Sequence, residues 1–364
     1  MTIITNRLIS SVNLAVVTAV LLSSQAGCKK GDHADGGAEA AAATNGAIDP
    51  KILALAKKAA ACKTYETSFD SSCADYKAWS DAKDDFNEGK NDASLVGLLE
   101  DPDEKLRLLG AEKLFQYGQG YQTDKALSAR VIVAAEKELT KFAGYDVGRV
   151  AGSVKVRETG LFDRVKAMIA KHPVERIRRG ILSRFLSSND DNDAVFAVVR
   201  DTVNDSEPEV AGAALSSFWG SGYKKPEAVC AVYRANIDNA RDELAADASN
   251  SLAWTGRCSA DYDALLASLE KRANTTGKWS SSSYSSADRH ICEDTKASGP
   301  QRKRAAAVAR KVAETKTGQK AWTRAAALDA VIKCDPKLGP GFVGKFKSDP
   351  DKTIQDKVKE LLKK

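Results

Sequence analysis

The chain has 364 residues, 43% hydrophobic and 29% charged, which excludes a disordered polypeptide and leaves room for a large core or two ordinary domains. Aromatic residues are sparse at 7%, alanine is abundant, and strict alternation of valine, isoleucine and threonine is nearly absent, so helices are expected and strands are few. The net charge of +6 is uneven: Lys296 to Lys364 carries 18 Lys or Arg against 7 Asp or Glu, which leaves the remainder mildly acidic.

At the N-terminus, Arg7 precedes a largely apolar stretch from Leu8 to Leu22. This is shorter than the roughly 20 residues that span a bilayer. Its length and flanks fit the apolar region of a secretory signal peptide, so residues 1–27 are expected to be removed on export. Ser24-Gln25-Ala26-Gly27-Cys28 follows. Here the chain resembles the bacterial lipoprotein signal, in which small residues precede a cysteine that receives lipid on its sulfur. Ala26, Gly27 and Cys28 match, and Gln25 stands where that family usually has leucine. The resemblance implies lipid attachment at Cys28 and anchoring to a membrane. Ordinary cleavage after Ala26 is the alternative and would give a soluble secreted protein. In that family the residue after the cysteine influences sorting. Lys29 is not the aspartate linked to inner-membrane retention in some Gram-negative bacteria, so the outer membrane is the implied address. Residues 28–49 read as a flexible tether, because Lys29 to Asp49 contains Gly31, Gly36, Gly37, an alanine run from Ala40 to Ala43 and no aromatic residue. An exported protein seldom meets nucleic acid, and none is expected as a partner.

Seven cysteines are present. With Cys28 set aside for lipid, Cys62, Cys73, Cys230, Cys258, Cys292 and Cys334 remain, an even set suited to an oxidising compartment. Six cysteines allow 15 pairings. Proximity along the chain favours Cys62 with Cys73, Cys230 with Cys258, and Cys292 with Cys334, each bridge adding about 2–4 kcal/mol. A metal site is the rival reading, but no C-x-x-C occurs and His33, His172 and His290 are scattered.

From Pro50 onward, helical patterns alternate with short polar breaks. Glu100-Asp101-Pro102-Asp103, Lys171-His172-Pro173, Asn204 to Pro208 and Ser348-Asp349-Pro350-Asp351 are such breaks. Each predicts a helix behind it, with Asp or Ser as cap and Pro in the first turn. The helices after the breaks align on Leu106, Val147, Ile177, Val210, Leu244, Trp322 and Ile354. Four residues on stand Gly110, Ala151, Ile181, Ala214, Ala248, Ala326 and Val358, and most positions a further turn on are apolar or small. These positions share one helix face, and small residues there let a neighbouring helix approach. Anchors recur every 30 to 41 residues, with one double gap between Leu244 and Trp322. A repeat of that length with two helices per unit indicates a helical solenoid. Leu106-Arg107 and Ile177-Arg178 after an acidic or proline-bearing turn resemble HEAT repeats. The expected fold is all-α: a right-handed α-solenoid of HEAT-like helix pairs over 91–364, preceded by an N-terminal helical hairpin or cap at 50–90. Residues 274–290 read as a polar, serine-rich insertion.

No G-x-S-x-G, H-E-x-x-H, phosphate loop or dinucleotide glycine pattern occurs, and Asp190-Asp191-Asn192-Asp193 lacks the glycine and the final glutamate of a calcium loop. No catalytic, cofactor-binding or metal site is therefore expected, nor a small-molecule ligand. The leading expectation is a non-enzymatic envelope scaffold that binds another envelope protein, with Trp219, Tyr223, Trp279 and Tyr284 as contact residues and Trp254 in the core. The alternatives are binding of anionic polymer or lipid through the basic C-terminal repeats, and a soluble secreted hydrolase with an unrecognised site.

Overall fold

The computed structural model describes residues 48–254, 256–275 and 281–363, all of which fall within one unit spanning 43–364. The expected signal peptide, Cys28 and nearly all of the expected tether lie outside the described residues, as does Trp279. The described chain is all-helical; its only β pairing is an isolated bridge between Thr64 and Phe69.

A first pair, α1 (Pro50–Ala60) and α2 (Ala74–Asp81), is joined by the Cys62–Cys73 bridge. Then come α3 (Asp92–Leu99), α4 (Glu104–Tyr117), α5 (Lys125–Lys137), α6 (Lys141–Gly152) and the single turn α7 (Val156–Thr159). The middle holds α8 (Phe162–Lys171), α9 (Glu175–Ser188), α10 (Asp193–Thr202), α11 (Pro208–Ser217), α12 (Pro226–Asn236) and α13 (Asp242–Trp254). The remainder comprises α14 (Tyr262–Thr275), α15 (Ser283–Glu293), α16 (Gly299–Glu314), α17 (Ala321–Cys334), α18 (Gly339–Gly344) and α19 (Lys352–Leu362).

The polar breaks set the helix starts. Asp103 accepts from the Lys105 amide, Asp351 from Thr353, and Pro208 occupies the first turn of α11. Ser298 and Gln301 close a reciprocal capping box at α16. The helices behind the breaks then pack in order: α4 on α6, α6 on α9, and so on through α11, α13, α15, α17 and α19. Partly alongside runs a second set, with α3 on α5, α5 on α8, and α8 on α10. One continuous apolar core extends from Ile52 in α1 to Leu361 in α19.

The repeat anchors are buried at Leu106, Val147, Ile177, Val210, Leu244 and Ile354. Trp322 is a correction: it is 43% exposed. In α17 the inward register lies one residue later, at Thr323, Ala327 and Val331, all fully buried. That shift aligns Arg324 with Arg107 and Arg178, each following its anchor. The three arginines do the same work. Arg178 Nε donates to the Ile169 carbonyl at 2.6 Å and Arg324 Nε to Ala313 at 2.9 Å, capping the preceding helix. Their outer nitrogens pair with Asp205 in the turn before α11 and with Asp349 in the turn before α19. Arg107 binds the Asp101 and Pro102 carbonyls and pairs with Glu138 at 2.6 Å.

The tightest approach is between α6 and α9. A Cβ on Gly148 would meet the Ile177 backbone, on Gly152 the Ile181 backbone, and on Gly180 the Tyr145 carbonyl. The other two bridges join neighbours: Cys230–Cys258 ties α12 to the turn before α14, and Cys292–Cys334 ties α15 to α17. Three disulfides belong to an oxidising environment outside the cytoplasm.

Candidate functional site

Along the exposed side of the row α4, α6, α9, α11, α13 and α15 stand Phe115, Arg149, Arg184, Trp219, Trp254 and His290, spaced 34 to 36 residues apart. Each belongs to, or just follows, one helix of the row, so consecutive members fall side by side. The Arg149 guanidinium carbon lies 3.3 Å from the Phe115 ring centroid and that of Arg184 5.2 Å from it. Trp219 and Trp254 meet edge to face with centroids 6.0 Å apart, and Trp254 meets His290 at 4.4 Å. Contacts of this kind add about 0.5–1.5 kcal/mol each beyond their buried area. The Trp faces are nevertheless available: Trp219 is 55% exposed and Trp254 48%.

Between the cationic and the aromatic part of this ladder lies a groove of about 1090 Å³. Its floor is built from Ser183, Ser187, Gly212, Ala213 and Ser216, whose small side chains leave the space open. Tyr145, Arg179 and Arg184 form the α6–α9 wall, and Trp219 lies at one end. The α13 wall carries Arg241, Asp242, Glu243 and Asp247. Charge is thus unequal across the groove. Arg179 is matched by Glu175 at 3.2 Å and Glu209 at 3.5 Å, and Arg149 by Asp146 at 3.0 Å. Arg176, beside Tyr145, and Arg184 have no ion-pair partner among the described residues, and the Nε of each is buried without a hydrogen bond. Glu112 stands at the same end. Burial, the nearby Asp146 charge and the Tyr76 hydroxyl at 3.3 Å surround its carboxyl, and burial above all pushes it up to about 7.

The residues singled out from sequence separate here. Trp219 is on the ladder. Tyr223 is a correction: it is 6% exposed, stacked on Phe196 at 4.3 Å, and its hydroxyl donates to Asp193 at 2.6 Å. Tyr284 is another. It is 1% exposed in α15 and donates to Asp242 at 2.8 Å, because α15 begins inside the serine-rich stretch and turns this ring inward. Trp254 is a third, since its ring is on the surface rather than in the core. Its place in the ladder was hidden because a stripe that mixes Phe, Arg, Trp and His has no hydropathy signature. The common spacing of about 35 residues is the signal that would have found it.

Part of the basic C-terminal end is matched by acids. Arg304 pairs with Glu270 and Asp263, Arg310 with Asp335, Lys333 with Glu293, and Lys357 with Asp329 and Glu360. No group of three or more His, Cys, Asp or Glu that could hold a metal occurs among the described residues. No helix among them is long and apolar enough to cross a membrane. No protein-family model matches the chain, and no curated protein matches it.

Proposed function

We propose that this protein is an exported, lipid-anchored scaffold whose paired helices form a HEAT-like α-solenoid, and that it binds an envelope protein along the ladder face without catalysis. The exposed Trp219–Trp254 pair at the end of an open groove carries this reading. Two neighbouring indoles left half in water are an unusual use of the largest apolar side chains, and aromatic anchors of this kind dominate protein interfaces. The row of helices packed one on the next supports the solenoid reading, and a solenoid offers an extended surface to a partner. Three disulfides support export, and the small residues before Cys28 support the lipid anchor.

The test is capture of envelope proteins on the full-length protein and on its Trp219→Ala/Trp254→Ala variant. A protein retained by the first and lost by the second, with melting temperature unchanged, supports the reading. Equal retention by both overturns the assignment of this face. The anchor is tested separately by intact mass of protein recovered from membranes, with and without Cys28→Ala. A lipid increment that vanishes in the variant is expected, and an unmodified chain beginning at Gly27 would remove the anchor.

A further inference from the structure

We propose that the groove between α6–α9 and α13 receives a polypeptide segment of mixed charge, with an acidic residue on Arg184 of the α9 wall and its basic residues on the carboxylates of α13. The inference rests on the protein-binding reading above and names the chemistry of the segment bound.

The arginine side is arranged for an anion that the chain itself does not supply. Arg184 lines the groove, and its guanidinium and that of Arg149 both lie within 5.2 Å of one ring centroid, Phe115. Asp146 compensates only Arg149. Glu112, the other nearby acid, is pushed up to about 7 and supplies only part of a charge at neutral pH. Arg176 adds a third guanidinium beside Tyr145, also without an ion-pair partner among the described residues. A carboxylate in the groove beside Arg184 accepts the forked N–H donors that stacking leaves at the guanidinium edge.

The opposite wall selects among anions. Glu243 and Asp247 stand on α13, with Asp242 held by Arg272 at 2.8 Å, and Arg241 precedes them on the same wall. A uniformly anionic polymer lying in the groove would meet these carboxylates with its own charge. A polypeptide can place acidic residues on one side and a lysine or arginine on the other. The floor of Ser183, Gly212, Ala213 and Ser216 offers room and hydroxyl groups for a backbone, and Trp219 offers a ring face at the end.

The experiment uses the full chain and three probes: a fluorescein-labelled peptide with a glutamate block followed by a lysine block, an all-glutamate peptide of equal length, and polygalacturonate. The block peptide is expected to bind tightest, with affinity falling as salt is raised. Arg184→Gln should weaken it about tenfold, the loss of one charge-assisted hydrogen bond. Arg184→Lys should restore part of the binding. Asp247→Asn should weaken the block peptide and leave the all-glutamate peptide unchanged or tighter. Polygalacturonate binding as tightly as the block peptide, or block-peptide binding indifferent to Arg184→Gln, overturns the proposal. If no probe binds, the proposal falls. The protein-binding reading then still stands or falls on the tryptophan variant, which removes no charge.

Discussion

Arg324 and Asp349 meet inside the protein, Nη2 2.7 Å from Oδ2, with the two side chains only 5% and 1% exposed. They join α17 to the turn before α19, and the same guanidinium caps α16 through the Ala313 carbonyl. Removing one partner leaves a buried charge without compensation. Asp349→Ala is expected to cost about 3–5 kcal/mol, and the double change Arg324→Met/Asp349→Leu to recover most of it. Denaturant melts of the two variants decide this; equal losses would mean that an uncompensated Arg324 charge is not the source of the loss. The hydrogen bond from Arg324 holds the Asp349 carboxyl below its usual value. A lowered folded value means that its stabilising contribution is present above the ordinary carboxylate range and is lost as pH falls through the folded value. Asp349→Asn should therefore flatten the acid limb of the stability curve.

Two glycines on neighbouring helices should respond to alanine with opposite sign. A Cβ at Gly180 would strike the Tyr145 carbonyl and crowd the Arg149 amide, so Gly180→Ala must push α6 from α9 and is expected to lose about 1–3 kcal/mol. At Gly212, within α11, nothing lies within 4 Å of the added methyl. Gly212→Ala is expected to gain about 0.5–1 kcal/mol from reduced freedom of the unfolded chain. It also narrows the groove floor, so binding of the mixed-charge peptide should weaken while the melting temperature rises. A rise in both would show that the peptide does not reach the floor.

Glu112 gives stability a pH dependence of the less common sign. Its carboxyl is pushed from 4.5 to about 7 in the folded protein, chiefly by burial. Between those values the folded state holds a proton that the unfolded state has released, so stability falls as pH rises from about 4.5 to 7 and levels beyond. Glu112→Gln removes the titration, and thermal melts between these limits should lose that slope. A slope that persists unchanged in the variant would assign it elsewhere, with Asp288, fully buried and with both carboxylate oxygens unpartnered among the described residues, the next residue to change.

What could be read without coordinates was what local chemistry decides. The turns at Asp101, Asp205 and Asp349 are legible because an aspartate that bonds the amide two residues on is a short-range device. The cysteine pairs are legible because each bridge closes between neighbouring elements. The phase of α17 is not, because both Trp322-Ala326-Ala330 and Thr323-Ala327-Val331 offer an apolar stripe at helical spacing. The arginine one residue after Leu106 and Ile177 was the clue that selects the second. Which rings face water was illegible for a different reason. Trp219 and Tyr223 are four residues apart, each beside a glycine, and only the packing of Phe196 decides that the second turns inward.

That pair supplies the sharpest separation of surface from core. Tyr223 stacks on Phe196 and is buried, so Tyr223→Ala opens a cavity; a loss of about 3–5 kcal/mol is expected. Trp219 touches Trp254 edge to face and is otherwise open to water, so Trp219→Ala should cost at most about 1 kcal/mol. In a binding assay the order reverses. Trp219→Ala, although well folded, should weaken partner retention by about tenfold or more, as removal of an interface anchor does. Tyr223→Phe, which keeps the ring and loses only the hydroxyl, should bind as the unaltered protein does. If Tyr223→Phe weakened binding while Trp219→Ala did not, the contact surface would lie on the side of the α11–α12 turn, and the ladder would be a packing feature of the helix row alone.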